Sequence, residues 1–152
     1  RIVGDGPERS RLESEISMLG LDDHVTLTGA VSHDAIRREF EMASVFVFPS
    51  LRDTSGAVVL EAMAMALPVV CLDHQGAAVM VTDECGLRIP VGTYAETVDA
   101  LRDALARMAT DPELRQRCGA EGRKVVTSSY DWRVKVVRLD RIYQTLATNK
   151  SS

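Results

Sequence analysis

Cysteine is scarce in this 152-residue chain, and its three thiols, Cys71, Cys85 and Cys118, show no C-x-x-C spacing. An odd, scattered set gives neither a disulfide framework nor a zinc site, so a reducing cytoplasm is the expected compartment. A basic stripe is also missing: 18 Lys and Arg against 22 Asp and Glu leave a formal charge of −4, with the cations dispersed. Nucleic acid is therefore not an expected partner, because nothing is arranged to release counterions from a phosphate backbone. No run of about eighteen apolar residues spans a bilayer, and no charged segment leads into a short apolar one, so neither a transmembrane segment nor a signal peptide is expected. Any membrane contact is expected to be peripheral, or made by a part of the protein outside these residues.

Signatures of familiar chemistry are equally thin. Gly-x-Ser-x-Gly is absent, which removes the simplest serine hydrolase. The three histidines, His24, His33 and His74, are dispersed, and no cluster of His, Asp, Glu or Cys has metal-ligand spacing. No metal and no cofactor is expected, and Asp83-Glu84 reads as a solvated turn. Gly4-x-Gly6 has Arg9 where a dinucleotide fingerprint needs its third glycine. No repeat or low-complexity tract interrupts the chain.

Hydrophobic residues make up 45% of the sequence, enough for one domain with a sizeable core. Arg1-Ile2-Val3 reads as a strand remnant running into the turn Gly4-Asp5-Gly6-Pro7. Leu12, Ile16 and Leu19 recur at helical spacing, with Pro7 in the first turn and Gly20 as the stop. Val25-Thr26-Leu27 is a short strand ending at Gly29. Ser32 caps a helix carrying Ile36, Phe40 and Ala43, and Val45 to Phe48, apolar throughout, fits a parallel strand covered on both faces. A helix then opens near Gly56, followed by a strand at Val69-Val70-Cys71-Leu72, a loop from Asp73 to Gly76, a short helix from Ala77 to Val81 and an edge strand from Gly86 to Ile89. Thr93 and Glu96 form a capping box for a helix bearing Val98, Leu101, Leu105 and Met108. Asp111-Pro112 supplies the cap and first residue of the next helix. Asp131 caps a last one from Trp132 to about Leu146, with Thr148 to Ser152 frayed. The alternation predicts an α/β, Rossmann-like parallel sheet covered by helices on both faces, with its ligand outside the carboxyl ends of the strands.

One of those ends carries acid. Asp53 follows the Val45 to Phe48 strand and its Pro49-Ser50 turn, and Glu61 lies eight positions on, inside the helix that opens near Gly56. The first N–H groups of a helix have no internal partner and point at one spot, and the missing side chain at Gly56 lets an anion approach the backbone closely. Asp53 then stands outside the helix tip, with Glu61 about 7–8 Å further along the axis at roughly 1.5 Å per residue. Carboxylates accept hydrogen bonds from hydroxyls and repel phosphates. A ligand touching all three points thus has a hydroxyl-rich group at each end and a diphosphate between, the form of a nucleotide-sugar. The same segment also reads as an ordinary strand, acidic loop and amphipathic helix with Glu61 merely solvated.

The stretch Phe48-Pro49-Ser50-Leu51-Arg52-Asp53-Thr54-Ser55-Gly56-Ala57-Val58-Val59-Leu60-Glu61-Ala62-Met63-Ala64, with Pro68-Val69-Val70 after it, resembles a known signature. It is similar to the donor site of retaining glycosyltransferases of the GT-B fold, family 4, whose motif is two glutamates separated by seven residues. Gly4-Asp5-Gly6-Pro7 is similar to that family's glycine-rich turn, and Val25 to Val31 to the strand and loop whose main chain lines the nucleobase pocket. Tyr130-Asp131-Trp132 looks like the aromatic start of its final helix, where both aromatics read as packing residues.

The resemblance implies a role for each matching position. Glu61 would bind the ribose hydroxyls, and Asp53, the candidate catalytic residue, those of the transferred sugar. Gly56, Ala57 and Val58 would offer N–H groups to the diphosphate, while Gly4, Gly6, Gly29 and Val31 would add main chain to the donor site. The whole chain would be the C-terminal, nucleotide-sugar-binding half of a GT-B enzyme of hexosyltransferase type, truncated at its N-terminal edge. Its partner would be the N-terminal acceptor domain of the same protein, outside these residues together with a first strand-helix segment and an upstream Arg and Lys. The isolated domain would bind donor weakly and catalyse little or nothing. The implied reaction moves a sugar from a nucleotide-sugar to a hydroxyl acceptor with retention at the anomeric carbon.

Three positions depart from the family pattern. Asp53 is one methylene shorter than the usual Glu, Thr54-Ser55 stands where a bulky or aromatic residue is common, and Ala66 occupies a position commonly Gly, so the helix is expected to run slightly longer. A noncatalytic nucleotide-sugar-binding or regulatory module, and a sugar-nucleotide epimerase or phosphorylase of GT-B architecture, are the alternatives.

Overall fold

The computed structural model describes residues 1–52 and 55–149, in two compact units, Arg1–Met42 and Ala43–Ser152. In the first unit, β1 (Ile2–Val3) pairs in parallel with β2 (Leu27–Gly29), Ile2 opposite Leu27 and Val3 opposite Gly29. Helices α1 (Arg9–Met18) and α2 (His33–Met42) complete it. The strand expected at Val25 begins two residues later, because the N–H groups of His24 and Val25 both donate to the Leu21 carbonyl (2.9 Å each) and close a turn. Pro7 precedes α1 instead of lying in its first turn. The helix opens at Arg9, whose N–H donates to the Gly6 carbonyl (3.1 Å). Leu19 falls at the C-cap and is exposed, which leaves half-buried Leu12 and Ile16 as the apolar row. At α2, the Ala35 N–H donates to the Ser32 hydroxyl (3.3 Å) as a cap should, and Ala43 lies past the helix end.

In the second unit, β3 (Phe46–Phe48), β4 (Val69–Leu72) and β5 (Gly86–Ile89) form a parallel sheet in that order. Around it lie α3 (Ala57–Ala64), α4 (Gln75–Met80), α5 (Tyr94–Thr110) and α6 (Pro112–Val125), and a π-helical turn at Val126–Tyr130 leads into α7 (Trp132–Asn149). The pleat of β4 sends successive side chains to opposite faces. Val69 and Cys71 join Val59 and Met63 of α3 and Ala77 and Met80 of α4, while Val70 and Leu72 join Ala104 and Met108 of α5 and Leu114 and Cys118 of α6. Helices therefore cover both faces, and each fully buried Val or Met stabilises the fold by about 1.5–3 kcal/mol. The double covering expected of Val45 to Phe48 is complete only in β4, although Phe46 and Phe48 pack on one core cluster and Val45 on the other. β3 is an edge of this sheet, and its three side chains are half-buried.

Local signals account for most helix starts. The Glu96 N–H donates to the Thr93 hydroxyl (3.4 Å) and the Thr93 N–H to the Glu96 carboxylate (2.9 Å), which is the expected capping box. Hydrogen bonds from the Thr93 side chain and backbone hold that carboxyl below its ordinary range. The Leu114 N–H donates to Asp111 (2.8 Å), with Pro112 first in α6, and Arg115 donates back to the carbonyls of Met108 (2.5 Å) and Ala109 (3.1 Å), closing the end of α5. On α5 the inward row is Ala100, Leu101, Ala104 and Met108, while Val98 and Leu105 turn outward. The two alanines are small enough to bring the helix onto the sheet.

The end of α3 corrects another expectation. Ala66 does not lengthen the helix but stops it, at φ +58, with its own N–H donating to Met63 (3.0 Å) and that of Leu67 to Ala62 (3.1 Å). Pro68 next in line excludes continuation, and the residue before a proline is pushed to extended backbone. The last helix, capped by Asp131 through the Arg133 N–H (2.8 Å), runs through Asn149, and residues 150–152, expected to fray, lie outside the described residues. Tyr130 packs against the core as expected, with the Lys135 ammonium 5.0 Å from its ring centroid, whereas Trp132 is 77% exposed and does not share that role.

All three cysteines are buried free thiols, and burial pushes Cys71 up to about 11, leaving it neutral at physiological pH. Asp83 sits in an exposed turn, where Arg88 pairs with it at 2.7 Å. Among the described residues, no helix is long and apolar enough to cross a membrane, and no group of three or more His, Cys, Asp or Glu could hold a metal ion.

Candidate functional site

Helix α3 contains the adjacent β-branched pair Val58-Val59, a weak helix former, so its shape comes from tertiary packing. Val59, Ala62 and Met63, spaced i, i+3, i+4, form its buried face. Gly56 is the N-cap at φ +55, a left-handed conformation that an L side chain rarely adopts. A Cβ there would overlap the Met80 methyl, with Ala77 N at 3.6 Å and the Gly76 carbonyl carbon at 3.7 Å. The space that the missing side chain was expected to leave for an anion is thus filled by α4. What the tip presents to solvent is its N–H groups. The Val59 N–H donates to the Gly56 carbonyl (2.8 Å), but no acceptor is found among the described residues for the N–H groups of Ala57, which is exposed, and Val58, which is half-buried.

Glu61 lies two residues past buried Val59 and so on the far side of the helix, where it is exposed. Among the described residues no donor meets its carboxylate. From Gly56 to Glu61 the axis rises about 7.5 Å, at about 1.5 Å per residue. Asp53 and Thr54 lie outside the described residues, and on their near side the Arg52 N–H donates to the Ser50 hydroxyl (3.4 Å).

The first turn of α4 differs from the loop expected through Gly76. It begins at Gln75, a residue with a side chain yet at φ +51, and packs beside Gly56. The small run Gly76-Ala77-Ala78 was the available clue, because small residues permit two backbones to approach closely.

The remaining candidates belong to the first unit. The Gly4 N–H donates to the Gly29 carbonyl (3.0 Å), an antiparallel bridge that joins the glycine turn to the end of β2, and the Gly6 N–H donates to the Asp5 carboxylate (2.8 Å). Gly29, at φ +72, is buried, and a Cβ on it would stand 3.1 Å from Arg9 Nη1. Val31, two residues on, is half-buried. Gly4, Gly6 and Gly29 are thereby held together in one unit, and Gly56, Ala57, Val58 and Glu61 in the other. His24 and His33 are exposed and His74 is half-buried at the N-cap of α4.

Residues 1–125 match the family model of glycosyl transferases group 1. Among curated proteins, the chain is 35% identical over 152 residues to phosphatidyl-myo-inositol mannosyltransferase of Mycobacterium leprae, covering 99% of this chain and 38% of that protein. It is 34% identical over 146 residues to alpha-D-kanosaminyltransferase of Streptomyces kanamyceticus, covering 95% and 37%. The chain thus spans a little over a third of the length of these relatives. Among solved structures, sucrose-phosphate synthase from Thermosynechococcus elongatus superposes with a TM-score of 0.78 at 29% identity, over 97% of this chain and 38% of that one. With residues 1–125 matching one family throughout and with parallel sheets flanked by helices as in its GT-B members, this chain belongs to the glycosyl transferases group 1.

Proposed function

We propose that this chain is the C-terminal, donor-binding half of a retaining glycosyltransferase that moves a sugar from a nucleoside-diphosphate sugar to a hydroxyl acceptor. The acceptor would be held by an N-terminal domain of the same protein. The observation that carries this reading is the tip of α3, where the N–H groups of Ala57 and Val58 have no acceptor among the described residues and the Glu61 carboxylate is exposed further along the same helix. A diphosphate on the N–H groups of Ala57 and Val58, beside Gly56, gains about 0.3–1 kcal/mol from the helix terminus when exposed, and up to about 2 kcal/mol when partly buried. Glu61 then takes the ribose hydroxyls and Asp53 those of the transferred sugar, so that each carboxylate is paired once a ligand covers it. The main chain of Gly4, Gly6, Gly29 and Val31 serves the nucleotide.

In this mechanism the protein's work is electrostatic. As the bond between the anomeric carbon and the phosphate oxygen breaks, charge collects on the departing diphosphate, and amides already aimed at it need no reorganisation. Holding donor and acceptor together supplies the rest. No resident metal or cofactor has a part. The compartment is read as cytoplasmic, and phosphatidyl-myo-inositol in the name of the Mycobacterium leprae relative supports peripheral membrane contact by the full-length protein.

The test is donor titration and initial rates with the full-length enzyme. Glu61→Ala is expected to weaken donor binding about tenfold or more, as loss of hydrogen bonds to a charged group does. Asp53→Asn should lower kcat more than it raises donor KM, and the product should keep the donor's anomeric configuration by NMR. Donor affinity untouched in Glu61→Ala would contradict the reading. An inverted product would remove retention, epimerised donor without transfer would favour an epimerase, and no heat with any nucleotide would favour a noncatalytic module.

A further inference from the structure

We propose that Arg9 is a positioning residue for donor recognition, an inference that rests on the reading that the main chain of Gly4, Gly6 and Gly29 meets the nucleotide. Arg9 stands in the first turn of α1, and its guanidinium reaches both segments at once. Nη1 lies 3.8 Å from one oxygen of Asp5, whose other oxygen accepts the Gly6 N–H at 2.8 Å. The same Nη1 is 3.1 Å from the point where a Cβ on Gly29 would stand, and Nη2 donates to the Leu27 carbonyl at 3.5 Å. Glu13, one turn along α1, holds Nε at 2.8 Å and fixes the orientation of the fork.

A planar guanidinium held along three edges sets the spacing between two loops, which a compact ammonium on a flexible stem does not. These ion pairs are partly exposed and add little to stability. Their consequence is geometric. Without the guanidinium, Asp5 is no longer held between Arg9 and the Gly6 N–H, and Gly29 loses the group that lies across it. A main-chain shift of about 1 Å in either segment misplaces a bound nucleotide and is costly to recognition. Arg9 touches no reacting atom in this scheme and acts through the two turns.

The experiment compares Arg9→Met, which keeps a straight stem and loses the fork, with Arg9→Lys, which keeps the charge, both in the full-length enzyme beside Glu61→Ala. Initial rates give donor KM and kcat, rates with the same sugar on a second base give base discrimination, and thermal midpoints report folding. Arg9→Met is expected to raise donor KM about tenfold and narrow base discrimination, with kcat, acceptor KM and the midpoint near wild type, and Arg9→Lys to recover only part. Wild-type donor KM and discrimination in Arg9→Met, with Glu61→Ala still impaired, would overturn this inference alone. Indifference of both variants would overturn the underlying reading with it. Should Arg9→Met fail to fold, Arg9→Lys decides: raised donor KM at an unchanged midpoint supports the role, and wild-type behaviour removes it.

Discussion

At φ +58, Ala66 holds a left-handed conformation that costs an L residue roughly 1–2 kcal/mol. Two hydrogen bonds maintain it, from its own N–H to Met63 (3.0 Å) and from the Leu67 N–H to Ala62 (3.1 Å), the pair that closes a helix when a glycine follows its end. Ala66→Gly should therefore raise the unfolding free energy by about 0.5–1 kcal/mol, the relief being reduced by the greater freedom of glycine in the unfolded chain. Urea unfolding measures this directly. A midpoint that falls would mean that the alanine methyl contributes more packing than its backbone conformation costs. Single residues were readable from sequence where their task is local: Thr93, Asp111 and Ser32 cap helices because their side chains reach N–H groups three residues away. Gln75, at φ +51, was not readable, since only the packing of α4 beside Gly56 holds it there.

At the scale of elements, α6 comes close to the turn that ends α3. A Cβ on Gly119 would overlap the Ala66 carbonyl oxygen, and Gly122 one turn on faces Met63 and Cys85. Gly119→Ala is expected to cost about 1–3 kcal/mol, the usual penalty for overpacking, because the obstacle is backbone and not the end of a flexible side chain. A native urea midpoint would show that α6 slides without cost. The apolar run that became β4 was legible because a strand covered on both faces leaves no polar position, whereas β5, at the edge of its sheet, carries Arg88. The facing of α5 was less so: Val98, Leu101, Leu105 and Met108 satisfy helical spacing as well as the true inward row does. The π-helical turn before α7 gave no sequence signal, and its Val126 and Tyr130 are held by the same core that Met63 occupies.

For the whole molecule, alternating strands and helices made a parallel α/β fold legible, and a formal charge of −4 with no basic stripe argued against nucleic acid. The division at Met42 was not legible, because no change of composition marks it. The candidate site was readable in outline for a physical reason. A glycine before a helix, with acids on either side of the helix start, restricts the ligand chemistry more than any pattern of core residues does. The most direct measurement is an amide NMR titration of the isotope-labelled protein with UDP, GDP and ADP, each beside its parent nucleoside. One diphosphate should shift the Ala57 and Val58 amide protons strongly downfield, while its nucleoside leaves them in place. Saturable binding of a diphosphate that perturbs other amides and leaves those two unmoved would contradict a pyrophosphate held at the tip of α3.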